Sequence, residues 1–186
     1  TDNLEGKKVL VQGIGHVGEV LVEHLTKSGA IVTITDINEE RVHQIGAKYG
    51  AKIFTGDDLY AADVDIYAPC ALGATINDET INKFKAKVIA GAANNQLANE
   101  AVHGKLLKEK GILYAPDFLI NAGGVINVYS EIVHWSKEQV IEKTENIYNT
   151  ALDIFNLADA NNITTHQAAF TMAQKRIDDT KNALNK

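Results

Sequence analysis

A glycine-rich turn between a short apolar run and an apolar helical pattern constrains the fold of this chain more than any other feature. The run Val9–Gln12 leads into the spacing G-x-G-x-x-G, formed by Gly13, Ile14, Gly15, His16, Val17 and Gly18. A second apolar run, Ile31–Thr35, ends at Asp36. Strand, turn, helix, strand and acidic residue in this order are typical of a βαβ dinucleotide-binding unit.

Each residue of this pattern has a predicted physical role. Gly13 permits the tight turn, Gly15 lets the backbone approach a pyrophosphate, and Gly18 lets the helix lie close to the strand. The helix N-terminus offers N–H groups and partial positive charge to the phosphates. Asp36 is expected to accept hydrogen bonds from the adenosine ribose and to repel a 2′-phosphate, which favours NAD over NADP. Arg41 is the nearby cation that argues the other way.

Length and composition exclude several classes of protein. The chain has 186 residues, 45% of them hydrophobic, and it is predicted to form a single dinucleotide-binding domain over 1–186. A net charge of −6 without a Lys/Arg block argues against nucleic acid as a partner, and no run is long and apolar enough for a membrane span. The lone cysteine, Cys70, fits a reducing compartment, so we expect a cytoplasmic protein. The six histidines lack metal-ligand spacing, so no metal site is predicted.

The apolar runs alternate with helical patterns, which predicts an α/β fold with a Rossmann-type doubly wound, mostly parallel sheet. This core is predicted to cover about residues 1–134, with C-terminal helices over about 136–186. On the first helix, Val17, Val20, Leu21, His24 and Leu25 are expected to form the buried face. Ser136 with Gln139 predicts the start of one long helix, and Thr164 with Gln167 the start of the last one. The predicted strands are Val9–Gln12, Ile31–Thr35, Lys52–Phe54, Asp65–Pro69, Lys87–Ala90 and Ile112–Ala115.

Three segments rich in small residues and amides follow the last three predicted strands. In parallel sheets, ligands bind beyond the carboxyl ends of the strands, so we expect these segments to form a cofactor crevice. Amide side chains can pair with the carboxamide of a nicotinamide. Cys70 is expected to be a small packed residue and not a nucleophile, because no sequence-adjacent base supports that role. The predicted cofactor contacts are Cys70, Ala71, Leu72, Asn94, Asn95 and Asn121.

Four segments resemble the coenzyme domain of the glutamate, leucine, phenylalanine and valine dehydrogenase family, and leucine dehydrogenase most of all. They are V-Q-G-I-G-H-V-G, A-P-C-A-L-G, V-I-A-G-A-A-N-N-Q-L and Y-A-P-D-F-L-I-N-A-G-G-V-I-N-V, in the order of the family. One departure is Gly18, where many leucine dehydrogenases carry alanine; either residue is expected to allow close packing of the helix.

The resemblance implies oxidative deamination of a branched-chain L-amino acid to the 2-oxo acid, with NAD accepting the hydride. By the same resemblance, Asn121 lies at the cleft, and Val125 and Val128 line the side-chain pocket. The alternative is that both valines only pack the helix onto the sheet. The catalytic lysine of the family belongs to a G-G-G-K segment of a preceding domain, and this chain has no such segment. We therefore expect no catalytic residue in the chain, a missing N-terminal catalytic domain, and a homo-oligomer for the full-length enzyme.

Two other functions stay open at the level of sequence. The chain could be a stand-alone NAD-binding or sensor module that never performs catalysis. The glycine turn could also bind a different nucleotide.

Overall fold

The computed structural model describes residues 3–184, which form two compact units. The first unit ends at Asp117 and contains a sheet with flanking helices, and the second begins at Phe118 and is helical. The prediction of a single domain, with a Rossmann core over about 1–134 and C-terminal helices over about 136–186, stays a prediction.

The sheet of the first unit is parallel, with strand order β3-β2-β1-β4-β5-β6. This is the order of the Rossmann fold, in which two βαβ halves meet beside the first strand, and it confirms the predicted fold class. All six predicted strands are present, and four of them are shorter than predicted. The strands are β1 (Lys8–Gln12), β2 (Ile31–Thr35), β3 (Lys52–Ile53), β4 (Ile66–Pro69), β5 (Val88–Ile89) and β6 (Leu113–Tyr114).

Alternation along β1 explains why the sheet is covered on both faces. Val9 and Val11 pack with Val22 of the first helix in one core cluster. Leu10 points to the opposite face, where it packs with Tyr67 and other residues of a second cluster. A central strand buried on both faces requires helices on both sides, which is the doubly wound arrangement. The helices of this unit are α1 (His16–Lys27), α2 (Glu39–Tyr49) and α3 (Glu100–Glu109).

The predicted buried face of α1 is wrong by part of a turn. His24 is exposed, and Val17 and Val20 are 58% and 43% exposed. Leu25 is buried as predicted, and Leu21 is partly buried against the same core, but the other buried residues are Gly18 and Val22. Hydrophobic periodicity missed this face because its first member is a glycine, which an apolar pattern does not count.

The second unit contains α4 (Asp117–Ile120, whose first residue ends the first unit), α5 (Gly123–Val133), α6 (Lys137–Glu145), α7 (Ile147–Asn161) and α8 (Thr165–Leu184). Its core is formed by Ile154 and Ala158 of α7 and by Ala168 and Ala169 of α8.

Both predicted capping boxes are present in the second unit. The Ser136 side chain accepts from the N–H of Gln139, whose side chain accepts from the N–H of Ser136. Thr164 and Gln167 make the same reciprocal pair. The helix that begins after Ser136 is not continuous, however, because it is interrupted at Asn146 between α6 and α7. Asparagine has a low helix propensity, which fits a break at that position.

Within residues 3–184, no helix combines the length and the apolar character that a membrane span requires.

Candidate functional site

The glycine turn lies between the carboxyl ends of β2 and β4. The N–H of Gly13 donates to the Thr35 carbonyl at 2.8 Å, and the N–H of Cys70 donates to the Gln12 carbonyl at 2.7 Å. Gly13 has φ +90°, in the region that favours glycine. A Cβ atom at this position would also lie 2.6 Å from the Cβ of Ala71. The turn therefore needs glycine here for both its conformation and its space.

Gly18 and Gly15 differ in what surrounds them. A Cβ atom at Gly18 would lie 2.0 Å from the Gly13 carbonyl oxygen, so α1 touches the turn through this residue. A Cβ atom at Gly15 would have nothing within 4 Å. The alanine expected to be tolerated at position 18 does not fit this spacing, because its methyl group would require α1 to move away from the turn. Gly15 leaves the backbone open, as a bound pyrophosphate would need.

The N-terminus of α1 differs from those of the two other α-helices of this unit. Asn38 and Asn99 cap α2 and α3 by accepting from backbone N–H groups. At α1, the N-cap is Gly15 and no side chain caps the helix. The first N–H groups of a helix lack intrahelical partners, so an uncapped N-terminus beside open space can bind an anion such as a phosphate.

Asp36 is fixed beside the turn by two backbone hydrogen bonds. Its Oδ2 accepts from the N–H of Ile14 at 2.8 Å, and its Oδ1 accepts from the N–H of Asn38 at 3.0 Å. The side chain of Ile14 is fully buried, so the N–H group that orients Asp36 is itself held rigidly. A carboxylate has about four acceptor positions, so Asp36 can still accept hydrogen bonds from a ribose.

Arg41 contacts the turn and α1. Its Nε donates to the Ile14 carbonyl at 2.5 Å, and its Nη2 lies 2.8 Å from Oε2 of Glu19. The other oxygen of Glu19 lies 2.9 Å from Nζ of Lys48, and the hydrogen bond from Lys48 lowers the pKa of Glu19. Glu19 is therefore held as a carboxylate that binds both Arg41 and Lys48.

The loop after β4 begins with Cys70, which is half-buried, and continues with exposed Ala71 and Leu72. Burial raises the pKa of the Cys70 thiol. A thiol with a raised pKa is a poor nucleophile, which supports the packing role expected for Cys70. Ala71 packs so close to Gly13 that a side chain at position 13 would clash with it. This loop and the glycine turn are therefore in direct contact.

The loop after β5 exposes the two predicted amides, Asn94 and Asn95. Asn95 has φ +51°, a left-handed conformation that asparagine tolerates better than most residues. Gln96, which the sequence analysis did not select, is fully buried and donates from its side chain within the same loop. In the sequence, Gln96 stands out only as the third amide of the run Asn94-Asn95-Gln96. The sequence alone does not show which of the three amides is buried.

The remaining predicted site residues belong to the second unit. Asn121 precedes α5, and Val125 and Val128 lie on α5 with exposed fractions of 66% and 61%. Val125 also lines an apolar groove of about 400 Å³ within this unit, together with residues that include Ile126, Tyr129 and Trp135. The valines are therefore not core residues of the unit that carries them.

Among residues 3–184, no group of three or more His, Cys, Asp or Glu side chains is arranged to hold a metal ion.

The strand order and the glycine turn define the first unit as a Rossmann-type domain. The model of the glutamate/leucine/phenylalanine/valine dehydrogenase family matches residues 33–184. The leucine dehydrogenase of Thermoactinomyces intermedius is 50% identical over 177 residues, which are 95% of this chain and 48% of that protein. The chain therefore belongs to the glutamate/leucine/phenylalanine/valine dehydrogenase family, and it spans about half the length of the curated relatives it matches.

Two solved structures extend the comparison. The crystal structure of L-tryptophan dehydrogenase from Nostoc punctiforme has 43% identity and a TM-score of 0.94, and the match covers 98% of this chain and 55% of that chain. The hetero-hexameric glutamate dehydrogenase of Thermus thermophilus has 23% identity and a TM-score of 0.74, and the match covers 95% of this chain and 47% of that chain. The second likeness shows the shared fold alone.

Gly18→Ala should destabilise the first unit by about 1–3 kcal/mol, the scale of overpacking a tight contact. Gly15→Ala is the matched control, because its methyl group enters open space; its loss should stay below about 1 kcal/mol, the scale of an N-cap change. Chemical denaturation of the two variants and the wild type measures both effects. Equal losses would contradict the close contact between α1 and the turn.

Proposed function

We propose that this chain is the NAD-binding part of an L-amino-acid dehydrogenase that oxidatively deaminates leucine or another branched-chain amino acid. The observation that carries the proposal is the open backbone at Gly15, beside the uncapped N-terminus of α1 and the fixed carboxylate of Asp36. Membership of the dehydrogenase family supports the reaction class.

The residues present fit a dinucleotide. Gly13, Ile14, Gly15, His16, Val17 and Gly18 would hold the pyrophosphate, chiefly through backbone N–H groups. Asp36 would accept from the adenosine ribose. Cys70, Ala71, Leu72, Asn94, Asn95 and Asn121 would contact the nicotinamide nucleotide. When bound, NAD supplies the acceptor for the hydride that leaves the substrate.

The surroundings of Asp36 favour NAD over NADP. A 2′-phosphate would face the carboxylate of Asp36, and like charges at short range repel each other. Arg41 could offset this repulsion, but its guanidinium contacts Glu19 and the Ile14 carbonyl. If Arg41 rotated toward a phosphate, Glu19 would lose one of its two ion pairs and would keep only the one with Lys48.

The proposed substrate wall consists of Val125 and Val128 with Asn121 beside it. Two exposed branched side chains three residues apart on a helix present one apolar surface. Such a surface suits an aliphatic substrate side chain, and it would leave a carboxylate in an acidic side chain without a hydrogen-bond partner. The relatives include leucine, phenylalanine and L-tryptophan dehydrogenases, so the branched-chain assignment rests on these two valines.

The chain by itself should be inactive, because the lysine implied by the resemblance is in a G-G-G-K segment that the 186 residues do not contain. A second domain, in a homo-oligomeric enzyme, would supply the proton-transfer groups. The alternative is a stand-alone NAD-binding or sensor module. A reading frame that continues upstream into a G-G-G-K segment would support the dehydrogenase, and a start codon directly before the first residue would support the module.

The isolated chain should bind NAD and produce no NADH from leucine. Calorimetry measures the binding, and NADH fluorescence in the presence of leucine measures turnover. Gly15→Val should abolish binding by filling the open space, whereas Ala47→Val, on the exposed side of α2, should not change it. Steady leucine-dependent NADH production by the pure chain would contradict the claim of inactivity, and equal NAD binding by Gly15→Val would contradict the site.

Replacing Asp36 with Ser and Ile37 with Arg should shift the preference toward NADP by about 1–3 kcal/mol, the scale of a charge-assisted hydrogen bond. Ile37 is chosen because it is fully exposed, whereas Asn38 caps α2. The control Asp153→Ser with Asn156→Arg makes the same charge change at exposed positions of α7. An unchanged ratio of NAD and NADP affinities in the first variant would show that Asp36 does not contact the ribose.

In the full-length enzyme, Val128→Ser should lower the specificity constant for leucine. The expected loss of transition-state binding is about 1–3 kcal/mol, the contribution of one or two methylene groups in an apolar pocket. Polar amino acids should lose less. Val102→Ser is the matched control, because it makes the same substitution at a valine of α3 that is 46% exposed and lies outside the proposed site. If Val128→Ser lowers stability without changing the leucine-to-polar ratio, the valine is a packing residue.

A further inference from the structure

Hydrogen bonds tie together the three segments that follow β4, β5 and β6, the last of which includes Asp117, the first residue of α4. The N–H of Ala74 donates to the Asn95 carbonyl at 2.7 Å, and the N–H of Ile76 donates to the Gln96 carbonyl at 3.0 Å. The N–H of Gln96 then donates to Oδ2 of Asp117 at 2.8 Å. Gln96 is thus the residue at which all three segments meet.

The side chain of Gln96 closes its own loop. It is fully buried, and its Nε2 donates to the carbonyls of Gly91 at 2.6 Å and Ala93 at 3.0 Å. A side-chain amide has two N–H donors, so both are used within this loop. The backbone that carries Asn94 and Asn95 is therefore folded around one buried amide group.

The oxygen atom of the same amide group, Oε1, indicates that Gln96 does more than stabilise the fold. Gln96 Oε1 is buried and finds no hydrogen-bond donor among the described residues. A buried acceptor without a partner is unfavourable, so it reduces the net gain from the two bonds that Nε2 donates. The side chain fixes the positions of two backbone carbonyls, those of Gly91 and Ala93, and through them the conformation of the turn that follows.

We propose that Gln96 is a positioning residue that sets the orientation of Asn94 and Asn95 for the nicotinamide half of NAD. The inference depends on the proposed function, since it assigns those two amides to the cofactor. Asn94 and Asn95 are exposed, and Asn95 has a left-handed backbone, so their own side chains are not packed into a core that would hold them. Gln96 and its bond to Asp117 fix the backbone that carries both amides.

The two halves of the cofactor provide a readout that a general folding role would not change. The glycine turn and Asp36 would bind the ADP half, and the loops tied by Gln96 would bind the nicotinamide nucleotide. A defect in positioning should therefore weaken NAD and spare ADP, whereas a defect in folding should weaken both.

The test compares NAD and ADP affinities of the 186-residue chain by calorimetry. Gln96→Met keeps the size of the side chain and removes both donors, so NAD affinity should fall about tenfold, which corresponds to one or two net hydrogen bonds, while ADP affinity stays unchanged. Gln44→Met, at an exposed position of α2, is the matched control and should change neither.

A second pair of variants keeps the test decisive if Gln96→Met does not fold. Asp117→Ala removes the acceptor for the Gln96 N–H and should reproduce the selective loss of NAD, whereas Asp117→Asn retains an acceptor and should restore most of it. Parallel losses of NAD and ADP, or no loss of either, would overturn the positioning role. A wild-type chain that binds neither NAD nor ADP would instead overturn the proposed function.

Discussion

The contact between Gly18 and the Gly13 carbonyl is the constraint on which the first unit depends. It sets the distance and the rotation of α1 against the sheet, because no side-chain atom can be placed between helix and turn. The rotation buries Val22 and Leu25 and aims the helix N-terminus at the space above Gly15. The same backbone contact thus builds the core on one side and leaves the backbone at Gly15 open on the other.

Hydrogen bonds between loops extend this order from the turn to the far edge of the sheet. Asp36 links β2 to the turn through the N–H of Ile14, and Gln96 links the loops after β4, β5 and β6. Each link is a hydrogen bond to the backbone of a neighbouring segment, and such bonds are directional where apolar packing is not. Loops that are joined in this way can keep their shape although some of their residues, such as Asn94 and Asn95, are exposed.

The second unit has a different balance of buried and exposed apolar surface. Its core is small, with Ile154 and Ala158 packed on Ala168 and Ala169, while Val125, Val128 and Ile132 of α5 remain largely exposed. A run of exposed branched side chains on one helix is typical of a surface that binds something else.

The sequence alone determined the order of the strands along the chain, the glycine turn, Asp36 and the helix caps, because each depends on residues close together in the chain. Hydrophobic periodicity could not place the buried face of α1, where Gly18 takes the place of an apolar side chain and His24 is exposed. Only the tertiary structure decided that Arg41 contacts Glu19 and that Gln96 is buried beside Asp117. These contacts join residues about 20 positions apart, and their geometry is fixed only when parallel strands bring the loops to one edge of the sheet.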